Sequence, residues 1–308
     1  MAYPTFYNPE RVGQLFVPDT ASAINAGLVA DLKPASNDSH QHLLLLVDAQ
    51  VDFVHTDGAL SVPGAVDDTR RTIEWLFEHA EHISAVAASM DSHLPVQIFY
   101  PTWWVNPQGD HPEPYTVITS DAVKDGEWKP TFEPQWSVDY VQKLELQSKK
   151  QLMIWPYHTM IGTPGHTLTP ALYEALAYHA AARQSEPVYL QKGTIAKTEY
   201  YSMLEPEVKV AGEPGGELNT DFLAMLEHYD RIYIAGQAKS HCVLETISSM
   251  MRHFGSNRPE MIDKLFVLID CTSSVAHPEI DFEAIATEAL ASFADKGLHI
   301  IQSSDPLP

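Results

Sequence analysis

Cysteine is nearly absent from this sequence. Only Cys242 and Cys271 occur in 308 residues, too few for a disulfide framework or a zinc ribbon, so a reducing cytoplasm is the expected setting. Basic residues are also scarce, with 19 Lys and Arg against 41 Asp and Glu, a formal charge of −22. Nucleic-acid affinity rests on Lys and Arg neutralising phosphates, so this balance argues against a nucleic-acid partner. It argues equally against docking on anionic lipid. Long apolar runs are missing: Leu43 to Val47 falls far below the roughly 20 residues that span a bilayer. The first residues, MAYPTFYNPE, lack the basic start and apolar stretch of a secretory signal. What is present, 44% hydrophobic and 10% aromatic residues, is too apolar for disorder and long enough for a sizeable core.

No repeat period appears. Residues 1–40 are polar, contain proline and lack sustained periodicity, and read as an N-terminal extension. Short apolar runs follow at His42–Val47, Ile83–Ser89, Val188–Leu190, Arg231–Ala235, Leu265–Ile269 and Leu298–Ile301, each with the pattern of a strand buried on both faces. Helical patterns lie between several of them. Asp67–Ala80 opens with two acids and clusters Ile73, Trp75, Leu76 and Phe77. Residues 242–254 space Val243, Leu244, Ile247, Met250, Met251 and Phe254 by three and four, with Arg252 and His253 in the expected last turn and Gly255 beyond it. Residues 281–296 set Phe282, Ile285, Ala289 and Phe293 on one stripe and stop at Gly297. Buried strands alternating with amphipathic helices predict one α/β domain over 41–304, with about six parallel strands between helical layers. Residues 97–152, which hold Trp103, Trp104, Trp128 and Trp136, are too long for an ordinary connection and read as an insertion. It either packs a small aromatic cluster of its own or serves as a lid or subunit contact.

Ligands of an open parallel sheet bind beyond the carboxyl ends of its strands. There the first run ends at Asp48, the second leads to Asp91 and His93, the third to Lys192 and Gly193, and the fourth to Gly236-Gln-Ala-Lys-Ser-His-Cys242. Four strands thus deliver reactive groups to one edge. A helix start lowers a thiol's pKa, which makes Cys242 a candidate nucleophile, although most free cysteines are simply small buried hydrophobes. Asp48 could take the thiol proton and Lys192 could hold that carboxylate. Singly, both residues read as solvated surface groups. Asp91 and His93, with His158 from W-P-Y-H, offer one carboxylate and two imidazoles, a donor set for Zn²⁺, Fe²⁺ or Mn²⁺. Cys271 has no base near it in sequence and reads as core.

From about residue 43 to 302 the chain resembles the nicotinamidases of the isochorismatase-like cysteine hydrolase superfamily. The resemblance rests on L-L-V-D-A-Q-V-D-F, G-A-L-S-V-P-G-A, M-D-S-H, W-P-Y-H-T-M-I-G-T-P-G, K-G-T-I-A-K-T-E-Y-Y-S and G-Q-A-K-S-H-C-V-L-E-T, in that order. It implies a three-layer α/β/α hydrolase fold and a catalytic triad of Asp48, Lys192 and Cys242. It further implies metal ligation by Asp91, His93 and His158, with Zn²⁺ the first choice and a ring nitrogen of the substrate in an open position. A cis peptide at Gln237–Ala238 would aim the Ala238 and Cys242 N–H groups at an oxyanion. Phe53, Leu60, Trp155 and Tyr201 match walls of an aromatic pocket. The implied activity is hydrolysis of nicotinamide to nicotinate and ammonia through a Cys242 thioester, in pyridine nucleotide salvage.

Three departures stand out. Many nicotinamidases carry a further histidine where this sequence has Gln97, the gap from His93 to Trp155 is long for the family, and residues 1–40 have no counterpart in it. The competing readings are a related cysteine hydrolase acting on another small amide, carbamoyl or ureido compound, and a silent binding module. An isochorismatase is disfavoured because its reaction does not need Cys242. The expected partner is a small-molecule amide, and the composition fits a monomer or a homo-oligomer.

Overall fold

The structure, a computed structural model, describes residues 3–148 and 150–308. Residues 1 and 2 of the expected extension and residue 149 of the expected insertion lie outside the described residues. Along the chain the helices are α1 (Thr20–Leu28), α2 (Val51–Val54), α3 (Ala65–Glu78), α4 (Ser120–Lys124), α5 (Pro134–Lys143), α6 (Pro170–Arg183), α7 (Thr220–Leu226), α8 (Leu244–Asn257) and α9 (Phe282–Ala294). The strands are β1 (His42–Val47), β2 (Ala85–Asp91), β3 (Trp104–Val105), β4 (Val117–Ile118), β5 (Lys129–Pro130), β6 (Leu152–Met153), β7 (Val188–Lys192), β8 (Arg231–Gly236), β9 (Leu265–Leu268) and β10 (His299–Ile301). Six strands form one parallel sheet in the order β10-β9-β8-β1-β2-β7.

The period of two in β1 explains why its sequence is apolar throughout. Leu43, Leu45 and Val47 enter the core shared with Phe222, Leu223, Ile247, Met250 and Phe254 of α7 and α8. Leu44 and Leu46 enter the opposite core, with Ile73 and Leu76 of α3 and Leu172 and Leu176 of α6. A strand buried on both faces has no polar side to show. This is the expected three-layer α/β/α arrangement. No helix among the described residues is long and apolar enough to cross a membrane.

Several boundaries differ from the sequence reading. Strands β2 and β7 run on to Asp91 and Lys192, which pair with each other across the ladder instead of standing beyond the strand ends. Helix α8 does not stop before Gly255 but continues to Asn257, with Pro259 opening the next turn; the residue before a proline is driven from helical geometry, and that stop outweighs a glycine. In α9 the buried residues are Ala286 and Leu290, whereas Ile285 is exposed. Phe282, Ala289 and Phe293 of the expected stripe are partly buried as predicted, and Ala286 takes the core position expected for Ile285 where α9 packs against α8 and the turn preceding α8.

The N-terminal segment docks closely. Asp19 caps α1 by accepting from Ser22 N at 3.0 Å, and the small buried residues Ala23 and Gly27 let α1 lie against α6. The buried Arg183 of α6 ties the segment down. It donates to Asp38 Oδ1 at 2.6 Å, to the Lys33 carbonyl and to the Ile83 carbonyl. Breaking a buried pair strands its remaining charge. Asp38→Ala is thus expected to destabilise the protein by about 3–5 kcal/mol, measured as a lower urea midpoint at constant m-value; an unchanged midpoint would contradict the clasp.

Candidate active site

The four adjacent strands β8, β1, β2 and β7 end at one cleft. Asp48 follows β1 with φ of 45°, a left-handed conformation that Asp tolerates better than most residues. Gly236 closes β8 with φ of 121°, and a side chain there would run into the Val47 carbonyl of the neighbouring strand. The Gln237–Ala238 peptide is cis. A wide helical turn over Lys239–Val243 then presents Cys242 before α8 begins.

Lys192 lies at the centre. Its Nζ is 3.0 Å from Asp48 Oδ2 and 3.0 Å from Asp91 Oδ1, and it donates to the Tyr200 carbonyl at 2.7 Å and to Cys242 Sγ at 3.6 Å. All four side chains are buried. Burial works to lower the Lys192 pKa, but the two carboxylates outweigh it and hold the group well above its usual range. Burial pushes the Cys242 thiol up, with Lys192 opposing. Asp48 is also raised by burial against the pull of Lys192, and Ser89 Oγ donates to its Oδ1 at 2.5 Å. Asp91 goes the other way: burial raises it, but His93 and Lys192 together hold it well below the carboxylate range. One lysine thus serves two carboxylates whose environments drive them apart, Asp91 staying ionised and Asp48 suited to carry a proton.

Asp91, His93 and His158 bring one ligand atom each within 4.8 Å of one another. Asp91 Oδ2 is 2.9 Å from His93 Nε2 and 3.8 Å from His158 Nε2. The other nitrogens are committed to backbone: His93 Nδ1 lies 3.2 Å from the Gly193 carbonyl and His158 Nδ1 2.7 Å from that of Pro156. In the tautomer in which both Nδ1 groups donate to those carbonyls, each Nε2 is left free to ligate, the outer-partner arrangement that orients metal-binding histidines. Burial pushes the His158 pKa down to about 3, keeping the imidazole neutral as a ligand must be. Gly193 makes room, since a Cβ there would lie 2.7 Å from Asp91 Oδ1 and 2.8 Å from His93 Cε1. Three buried acceptors converging on one point fit a divalent cation. Gln97 is spent elsewhere, donating to the Gly193 carbonyl at 2.7 Å and accepting from Leu94 N at 3.1 Å.

A cavity opens over these groups, and Phe53, Leu60, Trp155, Tyr201 and Ala238 all line it. Gln237 does not; its side chain turns away and donates to Asp68 Oδ2 at 2.9 Å. The structure adds walls that the sequence reading missed, namely Phe99, Glu199, Tyr200, His241 and Val275. Glu199 and His241 stand inside two of the motifs quoted above, so their nearness to Lys192 and Cys242 was the available signal. Residues 97–152 supply more than an isolated aromatic cluster. Trp103, Trp104, Ile118 and Tyr140 share one core with Phe53, Leu60 and Trp155.

Solved structures share this fold. The yeast nicotinamidase bound to the inhibitor nicotinaldehyde matches with a TM-score of 0.57 and 17% identity, over 85% of this chain and 99% of that one. The Acinetobacter baumanii nicotinamidase/pyrazinamidase matches with a TM-score of 0.55 and 18% identity, over 88% and 100%. A protein from L. infantum in complex with nicotinate matches with a TM-score of 0.52 and 18% identity, over 87% and 95%. No protein-family model matches the chain, and no curated protein sequence does either.

The donor cluster makes a direct prediction. His158→Ala is expected to weaken Zn²⁺ binding by at least about 10–100-fold, the range that loss of even an outer partner costs. Competition with a chelating dye reads it, and unchanged affinity would place any ion elsewhere.

Proposed function

We propose that the protein is a metal-containing cysteine amidohydrolase that converts nicotinamide and water to nicotinate and ammonia. One observation carries this reading. The buried Lys192 touches both Asp48 and Cys242, and Cys242 lines a cavity walled by Phe53, Phe99, Trp155 and Tyr201. The flat aromatic walls suit a planar ring, and the enzymes that share the fold include one with bound nicotinaldehyde. Asp48, Lys192 and Cys242 are the residues to which we assign catalysis.

The chemistry follows from the electrostatics. Burial, reinforced by the neighbouring Asp48 carboxylate, keeps the Cys242 thiol protonated, so the resting enzyme does not hold a free thiolate. As the amide carbon comes within reach, Asp48 takes the proton, sulfur bonds to carbon, and the carbonyl oxygen becomes an oxyanion. The N–H groups of Ala238 and Cys242 stabilise that charge. Asp48 returns the proton to the leaving nitrogen, the carbon–nitrogen bond breaks, and ammonia departs. Water then adds to the thioester with Asp48 as base, releasing the carboxylic acid and restoring the thiol. Lys192 offsets the negative charge that moves between Asp48 and the sulfur. Asp91, His93 and His158 would hold a divalent ion, with Zn²⁺ our assignment and Fe²⁺ or Mn²⁺ the alternatives, and it would supply a Lewis-acidic point for the ring nitrogen. The role assigned here is pyridine nucleotide salvage, in the reducing cytoplasm with which two free, buried cysteines accord.

Ammonia release from nicotinamide by Zn²⁺-replete protein tests the reading. Cys242→Ala is expected to lower kcat about a thousandfold or more. Turnover that survives the substitution rules out the thioester. Absent turnover by the wild type, with metal bound, assigns the same chemistry to another small amide.

A further inference from the structure

The cavity wall includes a buried carboxyl group that the hydrolytic chemistry does not use. Glu199 is buried, and both of its oxygens are occupied by tyrosines. Tyr201 Oη donates to Oε1 at 2.7 Å and Tyr140 Oη donates to Oε2 at 3.0 Å. The chain of bonds continues at each end. Trp155 Nε1 donates to Tyr201 Oη at 3.1 Å, and Glu199 N donates back to Tyr140 Oη at 3.0 Å. Trp155, Tyr201 and Glu199 line the cavity, whereas Tyr140 belongs to α5 and does not. A second bond from the same helix, Trp136 Nε1 to the Lys197 carbonyl at 2.6 Å, holds the loop that carries Glu199.

We propose that Glu199 is a positioning residue that ties two walls of the substrate pocket, Trp155 and Tyr201, to Tyr140 on the inserted helix. The inference rests on the cavity being the amide site, but the wiring itself does not. An indole and a phenol can each rotate about their side-chain torsions, and their faces set where a planar substrate lies over Cys242. A carboxylate accepting from two hydroxyls fixes Tyr201, and Tyr201 then fixes the indole edge. The insertion thereby gains a part in the shape of the pocket.

The state of Glu199 sets how many hydroxyl hydrogens it holds. Burial pushes its pKa up to about 7, with Tyr201 and Tyr140 pulling it down, Glu207 pushing it up and Lys150 opposing. Around this cluster, Glu207 N donates to the Glu199 carbonyl at 2.9 Å, Lys150 Nζ lies over the Tyr201 ring at 5.1 Å, and His241, whose pKa burial pushes down to about 3, packs on the rings of Trp155 and Tyr201. Ionised, the group accepts from both tyrosines. Once protonated, it must donate to one of them, and that tyrosine's own hydrogen is released.

The test reads Trp155 directly. In protein labelled with ¹⁵N at the indole nitrogens, the Trp155 resonance is assigned by its loss in Trp155→Phe. It is expected to move with pH around neutrality in the wild type, to lose that movement in Glu199→Gln, and to sit displaced at all pH values in Tyr140→Phe. With nicotinamide as substrate, both variants are expected to raise KM about five- to tenfold while kcat stays within about twofold. Glutamine keeps one acceptor for Tyr201, so Glu199→Gln serves as the folded control if Tyr140→Phe proves unstable. A Trp155 resonance indifferent to both variants overturns the proposal. A wild type that shows the coupled shifts but hydrolyses no amide upholds the wiring and overturns the amidase reading instead.

Discussion

A single ammonium group with no access to water holds this site together. Isolated, a buried lysine would shed its proton or drag water inward, because the desolvation cost of one charge is several kcal/mol. Here Lys192 is embedded between Asp48 and Asp91 with a backbone carbonyl and a thiol completing its surroundings. Each carboxylate is tolerable because the lysine is there, and the reverse holds too. The partition of their acidities is what separates a proton-carrying aspartate from a permanently anionic one within the reach of one side chain.

That arrangement requires a parallel sheet with a particular neighbour order. Asp48, Asp91, Lys192 and Cys242 are far apart in sequence, and only the succession β8-β1-β2-β7 sets their strand ends side by side. Two glycines complete the fit. Gly236 lets the chain leave β8 against the Val47 carbonyl, and Gly193 leaves room for the Asp91 carboxylate and the His93 ring. Neither position tolerates a Cβ without moving an atom that the site uses.

Much of this was legible in the sequence, for physical reasons. Runs such as His42–Val47 announce themselves because a strand covered on both faces is apolar at every position, and strand-end polar residues stand out against that background. Asp48, Lys192 and Cys242 could be gathered as candidates from placement, and Asp91, His93 and His158 as one donor set from their residue types, which the geometry also brings together. What escaped were features decided by tertiary packing. The register of β2 against β7 carries Asp91 and Lys192 into the ladder, and no local pattern encodes that. Ile285 looked like a core position but faces out, since the helix face depends on where the sheet edge lies. Residues 1–40 looked featureless because α1 docks through Ala23 and Gly27, which leave little hydrophobic signal, and because the stretch after α1 is held by Arg183, which is distant in the chain. Glu199 was hidden for the same reason: one of its partners, Tyr140, meets it only after residues 97–152 have folded back.

The position of β7 has a consequence for how the chain reaches this state. It is an edge strand, bonded only to β2, and it brings Lys192 to Asp91 across 101 residues of sequence. Contacts of such separation demand loop closure before they return any stabilisation, which places them among the slower events of folding. Until that strand docks, Asp48 and Asp91 face each other without a counter-charge, and the aromatic walls anchored to the loop after β7 have nothing to hold. A chain with most of its sheet assembled would still lack a functioning centre. Recovery of the site after unfolding therefore registers completion of the whole fold, not the collapse of its core.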